Sequence, residues 1–106
     1  MKTYDLYGIR VDDLETARAV VEDALRIKLN PHESSYHCGD YYRVGDAGAE
    51  HIVLQRNHDD LEKEWTEEGF KEFPVLLYVN ETDRAADIEN ALARMPAVSL
   101  LRRESL

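Results

Sequence analysis

A run of five apolar residues, VLLYV at positions 75–79, constrains the fold of this chain most strongly. The run does not alternate with polar residues, so a strand formed from it would place apolar side chains on both faces. Such a strand is stable only where both faces are covered. The run therefore predicts a central, buried strand over residues 74–80.

Strand and helix patterns precede this run. Residues 4–11 alternate with a period of two, which predicts the first strand. A helix is predicted from about Asp13 to Arg26, because Asp12 and Glu15 have the spacing of a capping box and an apolar stripe follows them. The stripe consists of Leu14, Ala17, Val21, Ala24 and Leu25.

The polar segment after this helix predicts a meander of three strands. Asn30-Pro31 interrupts the chain, and Gly39-Asp40 has the composition of a hairpin turn between strands at 33–38 and 41–44. After a second turn that contains glycine, a third strand begins at His51.

Residues beyond the central strand predict a helix and a last strand. Asn80 or Thr82 can cap this second helix, and Pro96 ends it. Its stripe consists of Ala85, Ile88, Leu92 and Met95. The order β-α-β-β-β-β-α-β predicts one α+β domain over residues 1–106, with a mixed, mostly antiparallel sheet and two helices packed on one face.

The charge of the chain limits its partners. The 106 residues carry a net charge of -9, which disfavours nucleic acid and anionic membranes because both are bound by clustered Lys and Arg. No apolar run is long enough for a signal peptide or a membrane span, so we predict a cytoplasmic protein. Cys38 is the only cysteine, which excludes a disulfide within the chain.

No motif in the sequence indicates catalysis. The histidines lack metal-site spacing, and the glycines form no nucleotide-binding pattern; the histidines are His32, His37, His51 and His58. Cys38 is better explained as a packed residue than as a nucleophile. A cluster of Glu50 and His51 with Glu33 or His37 is the remaining candidate for a ligand site. We therefore predict no enzyme activity, no metal and no cofactor.

Much of the negative charge lies in one stretch, NHDDLEKEWTEEGFKEFP at positions 57–74. It contains seven acids and two lysines, a net charge of -5. Leu61 and Trp65 have near-helical spacing, which predicts a short helical turn or an ordered loop docked on the domain through these side chains. Either Trp65 packs on the core above solvated glutamates, or the carboxylates meet a basic partner and an aromatic side chain anchors it.

The second alternative defines candidate partner-binding residues. They are Asp59, Asp60, Glu62, Glu64, Glu67 and Glu68 for charge, with Trp65, Tyr41 and Tyr42 as anchors. Because neighbouring strand residues face opposite ways, Tyr41 and Tyr42 cannot share one core. Alternatively, the tyrosines bind no partner and form cross-strand aromatic pairs that stabilise a hairpin.

Small size, acidity and the lack of a catalytic motif make the chain similar to immunity proteins that neutralise bacterial toxins, including those of contact-dependent growth inhibition. That resemblance implies a non-enzymatic inhibitor that binds one cognate basic toxin, such as a nuclease, by direct contact.

The opening YGIRVDDLETARAVVEDALRI resembles the first strand and helix of the glyoxalase/bleomycin-resistance family, whose vicinal-oxygen-chelate modules have the order β-α-β-β-β. Members with metal chemistry carry a histidine six residues before the acid that is Asp12 here, where this chain has Leu6. The resemblance implies a dimeric small-molecule or metal-dependent protein with half-sites near Glu50 or His51. A homodimer joined through sheet edges or through the Tyr41-Tyr42 face is a third hypothesis.

Overall fold

The secondary structure comes from a computed structural model, which describes residues 2–34, 39–46 and 48–106. This part of the chain contains helix α1 (Leu14–Leu25) and helix α2 (Ala85–Leu92). Its strands are β1 (Thr3–Ile9), β2 (Asn30–Ser34), β3 (Gly39–Gly45), β4 (His51–Arg56), β5 (His58–Asp59), β6 (Glu64–Trp65), β7 (Val75–Thr82) and β8 (Val98–Ser105). One sheet has the order β2-β3-β4-β7-β1-β8, while β5 pairs with β6. All of these pairs are antiparallel, and the predicted α+β class is confirmed.

The apolar run forms β7, which lies between β4 and β1 as the central-strand prediction required. Leu77 belongs to the main core, whereas its neighbour Leu76 points to the opposite face. Both side chains are 0% exposed. The sheet is therefore covered on both faces at this strand, which explains why the run lacks alternation.

Both helices pack on one face of the sheet, as predicted. The core on this face joins helix residues to alternate residues of the strands; they include Leu14, Ala17, Val21, Ile88 and Leu92 from the helices and Tyr7, Ile9, Ile52, Leu54, Val75, Leu77 and Val79 from the sheet. This packing leaves the opposite face of the sheet for the acidic stretch at 57–74 to cover.

The two helix starts differ in detail from the predicted caps. Asp13, rather than Asp12, caps α1: its carboxylate accepts hydrogen bonds from the backbone N–H (3.0 Å) and hydroxyl (2.7 Å) of Thr16. These bonds lower the pKa of Asp13. At α2 the capping residue is Arg84, and the Thr82 hydroxyl accepts its backbone N–H at 3.1 Å. The predicted capping box is thus wrong by one residue, and α2 ends at Leu92, before Met95.

The predicted turn at Gly39-Asp40 is wrong. Both residues lie within β3 and pair with β2, while most of the predicted strand at 33–38 lies outside the described residues. Strand β2 includes Pro31, which was expected to interrupt the chain. Because β2 is an edge strand, a residue without a backbone N–H is tolerated there.

Candidate partner-binding surface

Residues 57–74, named here the acidic segment, fold as the β5–β6 hairpin followed by a 3-10 helix at Glu68–Phe70. The Oδ1 atom of Asp59 accepts the backbone N–H groups of Leu61 (3.0 Å) and Glu62 (3.2 Å), which closes the hairpin turn. Lys63 completes the turn with a φ of 59°. Of the two alternatives predicted from the Leu61–Trp65 spacing, a helical turn or an ordered loop, the helical turn is therefore wrong, because local side-chain bonds favour a hairpin.

Asn57 fixes the acidic segment to itself and to the sheet. Its side chain is 0% exposed. The amide Nδ2 donates to the carbonyls of Phe70 (3.0 Å) and Phe73 (3.1 Å), and Oδ1 accepts the backbone N–H of Glu67 at 2.8 Å. Its own backbone N–H donates to the Pro74 carbonyl at 2.9 Å. One buried amide thus orders both ends of the segment.

Phe73 attaches the segment to the face of the sheet opposite the helices. Its side chain is 4% exposed and covers Gly8, where any Cβ would overlap the ring. The guanidinium of Arg10 lies 4.5 Å from the ring centroid, within the range of a cation–π contact. A glycine inside a strand pattern is a sequence signal of such a close approach.

Glu67 is occupied by contacts within the protein. Its carboxylate accepts the hydroxyl of Tyr78 at 2.6 Å and two N–H groups of Arg102 at 3.2 and 3.3 Å. The bonds between Arg102 and Glu67 raise the pKa of Arg102. The side chain of Glu67 is only 17% exposed. Although the sequence suggested Glu67 for partner binding, the geometry makes it an anchor of the segment.

The hairpin tip carries an exposed apolar side chain among carboxylates. Leu61 is 90% exposed, which corrects the expectation that it docks on the domain. Asp60, also about 91% exposed, lies 2.8 Å from Nδ1 of His58. Glu62 and Glu64 are exposed, and neither forms an ion pair with another described residue. The tip therefore offers both charge and apolar surface to solvent.

Trp65 lies within the acidic segment rather than in the main core. It is half-buried, its ring centroid is 4.7 Å from that of His58, and Nζ of Lys71 lies 5.8 Å from the ring. These contacts support the base of the hairpin. The orientation of Trp65 is thus toward its own segment, with part of the ring left at the surface.

The tyrosine pair separates across the sheet, as the alternation predicted. Tyr42 is 7% exposed, belongs to the core, and has the guanidinium of Arg18 5.0 Å from its ring centroid. It therefore cannot reach a partner. Tyr41 faces the same side as the acidic segment and stacks on His32 with centroids 5.4 Å apart, which is the cross-strand pair that the sequence left as an alternative.

A cleft of about 420 Å³ separates the β5–β6 hairpin from the β2–β3 end of the sheet. Its lining residues are Glu33, Gly39, Arg56, His58, Asp59, Asp60, Leu61 and Glu62. Sequence reasoning did not join Glu33 to the acidic segment, because the two are brought together only by the order of the sheet. The cleft is acidic because its lining contains four carboxylates and one guanidinium.

The structure pairs Glu50 with Arg84 and Thr82 rather than with the histidines. Its carboxylate accepts two bonds from Arg84 (2.9 and 2.8 Å) and the hydroxyl of Thr82 (2.6 Å). His51 Nδ1 instead lies 2.9 Å from the carbonyl oxygen of Ala49 and 3.5 Å from Glu81. Within the described ranges no three His, Cys, Asp or Glu side chains are grouped as metal ligands; His37 and Cys38 lie outside those ranges.

Glu50 gives a prediction for the dependence of stability on pH. The bonds from Arg84, and then from Thr82, lower the pKa of Glu50 despite its partial burial. The unfolded chain therefore binds more protons than the folded protein between the two pKa values, so this stabilisation is present above about pH 4.5 and is lost as the pH falls below it. Urea denaturation should show a shallower loss of stability on acidification for Glu50→Gln. If the free energy of unfolding fell equally with pH in the wild type and in Glu50→Gln, Glu50 would not be the source of this pH dependence.

Comparison with known proteins does not assign the chain to a family. No protein-family model matches it, and no curated protein is significantly similar to it. In the described part of the chain, neither helix is long and apolar enough to cross a membrane. The resemblances to immunity proteins and to the vicinal-oxygen-chelate family, and the dimer hypotheses, stay predictions.

Proposed function

We propose that the protein binds a basic protein partner through the tip of the β5–β6 hairpin and acts as an immunity-type inhibitor of a basic bacterial toxin. The observation that carries this proposal is Leu61, which is 90% exposed at the tip of an ordered hairpin and is surrounded by carboxylates. The binding surface consists of Asp59, Asp60, Leu61, Glu62, Glu64 and Glu68.

Apolar and charged groups at the tip have different roles in this binding. Burial of a leucine side chain contributes about 1.5–3 kcal/mol. The surrounding carboxylates attract Lys and Arg on the partner and speed its approach. This arrangement matches an interface with an apolar centre and a charged rim.

The order of the hairpin supports binding as well. Asn57, Phe73 and Glu67 hold the acidic segment on the sheet through the contacts described above. The tip is therefore presented in a defined conformation, and association does not require the ordering of a flexible loop. If the negative charge served only to keep the protein in solution, the segment would not need these contacts with the sheet.

The charge also fits a particular class of toxin. Nucleases bind phosphates through clustered Lys and Arg, so their substrate clefts are basic. An acidic, preordered tip is complementary to such a cleft. Direct obstruction of a nuclease active site follows from this complementarity, and the inhibitor itself performs no reaction.

Charge reversal tests the proposal. The probe is the product of the neighbouring reading frame, which the proposal requires to be a basic toxin domain, and its association rate is measured by biolayer interferometry at low and high salt. We expect Glu62→Lys, Glu64→Lys and Glu68→Lys together to slow association at low salt by about tenfold and to weaken its salt dependence. Glu67 is left unchanged because it holds Tyr78 and Arg102.

A second set of variants distinguishes the effect of charge at the hairpin tip from the effect of the protein's net charge. Asp12, Asp23 and Asp46 are exposed elsewhere on the protein, and their reversal to lysine changes the net charge equally but should leave the association rate near that of the wild type. Leu61→Ser should raise the dissociation rate by about tenfold through the loss of apolar burial. If both triple variants slow association equally, or if the neighbouring frame encodes no basic toxin that the protein neutralises, the proposal is wrong.

A further inference from the structure

Strand β8 forms one edge of the six-stranded sheet, and β1 is the only described strand that pairs with it. Residues 102–105 of this strand are exposed. The strand is eight residues long and contains no proline or glycine, whereas the opposite edge strand, β2, is five residues long and contains Pro31. Proline on an edge strand hinders the addition of another strand. Of the two edges, β8 is therefore the better template for pairing.

Alternate backbone groups of β8 point away from β1. Leu106 and Lys2 exchange two backbone hydrogen bonds, of 2.9 and 3.2 Å. Hydrogen-bonded and non-hydrogen-bonded pairs alternate along an antiparallel ladder, so Ser105 and Arg103 lie in non-hydrogen-bonded pairs with β1. Their N–H and C=O groups therefore point outward, where no described strand pairs with them.

The charges of β8 are complementary to a second copy of the same strand. Arg102 and Glu104 lie on one face of the strand, with Nε and Oε1 4.0 Å apart. In an antiparallel pair with a two-fold axis at Arg103, Arg102 of each copy lies opposite Glu104 of the other. Opposite charges at directly facing positions stabilise a strand pair. Arg102 keeps donors for this contact, because its bonds to Glu67 use two of its five N–H groups.

Charge also selects one register among those that the backbone allows. The backbone groups match only when the two-fold axis passes through a residue, since outward groups must face outward groups. An axis at Arg102 would place two arginines opposite each other, and an axis at Glu104 would place two glutamates opposite each other. Like charges at facing positions are destabilising, so the axis at Arg103 is favoured.

Arg103 itself is neutralised within each chain. It donates to Asp5 at 2.8 Å through each of two nitrogens and lies 2.9 Å from a carboxylate oxygen of Glu89. Two carboxylates therefore surround each guanidinium, and they offset the repulsion between the two copies of Arg103 at the axis. The outward N–H and C=O groups of the two Arg103 residues can then exchange two backbone hydrogen bonds.

Apolar side chains extend this pairing. Leu106 is 80% exposed, and by alternation it lies on the face of Arg102 and Glu104. Leu101 is the extra residue of a β-bulge in β8 and lies on the same face, because its Cδ1 atom is 2.8 Å from the position of a Cβ on Gly8. In the register centred on Arg103, Leu106 of each copy lies beside Leu101 of the other. The bulge ends the regular pairing there, so the interface is short.

We propose that two copies of the protein pair antiparallel along residues 102–106 of β8, about a two-fold axis at Arg103, and so join their sheets edge to edge. Because the interface is small, we expect a dissociation constant on the order of 10 μM. This inference is independent of the proposed toxin binding. The hairpin tip lies beside β2 and β3, at the other end of the sheet, so both tips of the dimer remain accessible.

Sedimentation equilibrium of the full chain tests the dimer, and hydrogen exchange followed by NMR locates it. The mass should approach twice the 12.2 kDa of one chain at about 100 μM protein and should fall toward 12.2 kDa at about 1 μM. The amides of Arg103 and Ser105 should become more protected as the concentration rises. A mass of one chain at up to about 1 mM protein, or concentration-dependent protection at β2 instead of β8, would overturn the inference. If these amides were protected only by the product of the neighbouring reading frame, the edge would bind that product and not a second copy.

Charge reversal tests the register. Glu104→Arg places an arginine opposite each Arg102 and should weaken dimerisation by about tenfold or more. The side chain of Glu104 is 64% exposed, so the variant should fold like the wild type. Asp23→Arg is the matched control, because Asp23 is exposed on α1 and its reversal changes the net charge equally; it should dimerise as the wild type does. Wild-type dimerisation of Glu104→Arg, or equal weakening in both variants, would contradict the assigned interface.

Discussion

Asn57→Ala is expected to lower the free energy of unfolding by about 3 kcal/mol, because the substitution leaves a partly buried N–H and a buried carbonyl group without their partner. The N–H belongs to Glu67 and the carbonyl to Phe73, whereas the Phe70 carbonyl still accepts the backbone N–H of Phe73 at 3.0 Å. Urea denaturation measures the change. Hydrogen exchange should locate it, since the Glu67 amide should lose protection more strongly than the amides of β7.

The matched control for this substitution is Asn90→Ala. Asn90 is exposed on α2, so its removal should change stability by less than about 0.5 kcal/mol. Asn57→Ala should also slow toxin association, because the hairpin would no longer be preordered. A stability equal to that of the control would show that Asn57 does not order the acidic segment.

Gly8→Ala is expected to destabilise the protein by about 3 kcal/mol, because the added Cβ would overlap the buried ring of Phe73. It would also lie 2.8 Å from Cδ1 of Leu101. Gly8 is in a central part of the sheet, paired with β7 on one side and β8 on the other. The backbone therefore cannot move away freely, and the acidic segment must lift from the sheet instead.

Two further variants test that explanation by thermal and urea denaturation. Gly69→Ala is the control, because a Cβ at Gly69 meets no atom within 4 Å, and its stability should stay near that of the wild type. In a double-mutant cycle, Gly8→Ala should cost much less when Phe73 is already alanine, which lacks the Cγ and Cδ1 atoms that the added Cβ would overlap. Additive effects of the two substitutions would contradict a clash between Gly8 and Phe73.

Local patterns were sufficient to predict the main elements. The uninterrupted apolar run became the central strand β7, and the stripe from Leu14 to Val21 became the buried side of α1. The spacing of apolar residues indicates which positions are buried, and a short segment is enough to show whether that spacing is helical or strand-like. Turn positions were less well predicted, because Gly39 and Asp40 are compatible both with a turn and with the start of a hairpin strand.

The candidate surface could be predicted only in part. The concentration of acids was visible in the sequence, yet their separate roles were not. Glu67 is neutralised by Arg102, 35 residues away, whereas Glu62 and Glu64 remain exposed. The spacing of Leu61 predicted that its side chain docks on the domain. In the structure, the turn closed by Asp59 directs this side chain to solvent.

The sequence by itself determined how the two helices and the strands of the main sheet follow one another along the chain, the burial of β7 and the location of most of the negative charge, because these depend on residues close together in the chain. The tertiary structure alone decided that the acidic segment lies on the face opposite the helices and that Asn57, Phe73 and Glu67 hold it there. These features depend on contacts between distant residues, which are set by the strand order and not by any local period.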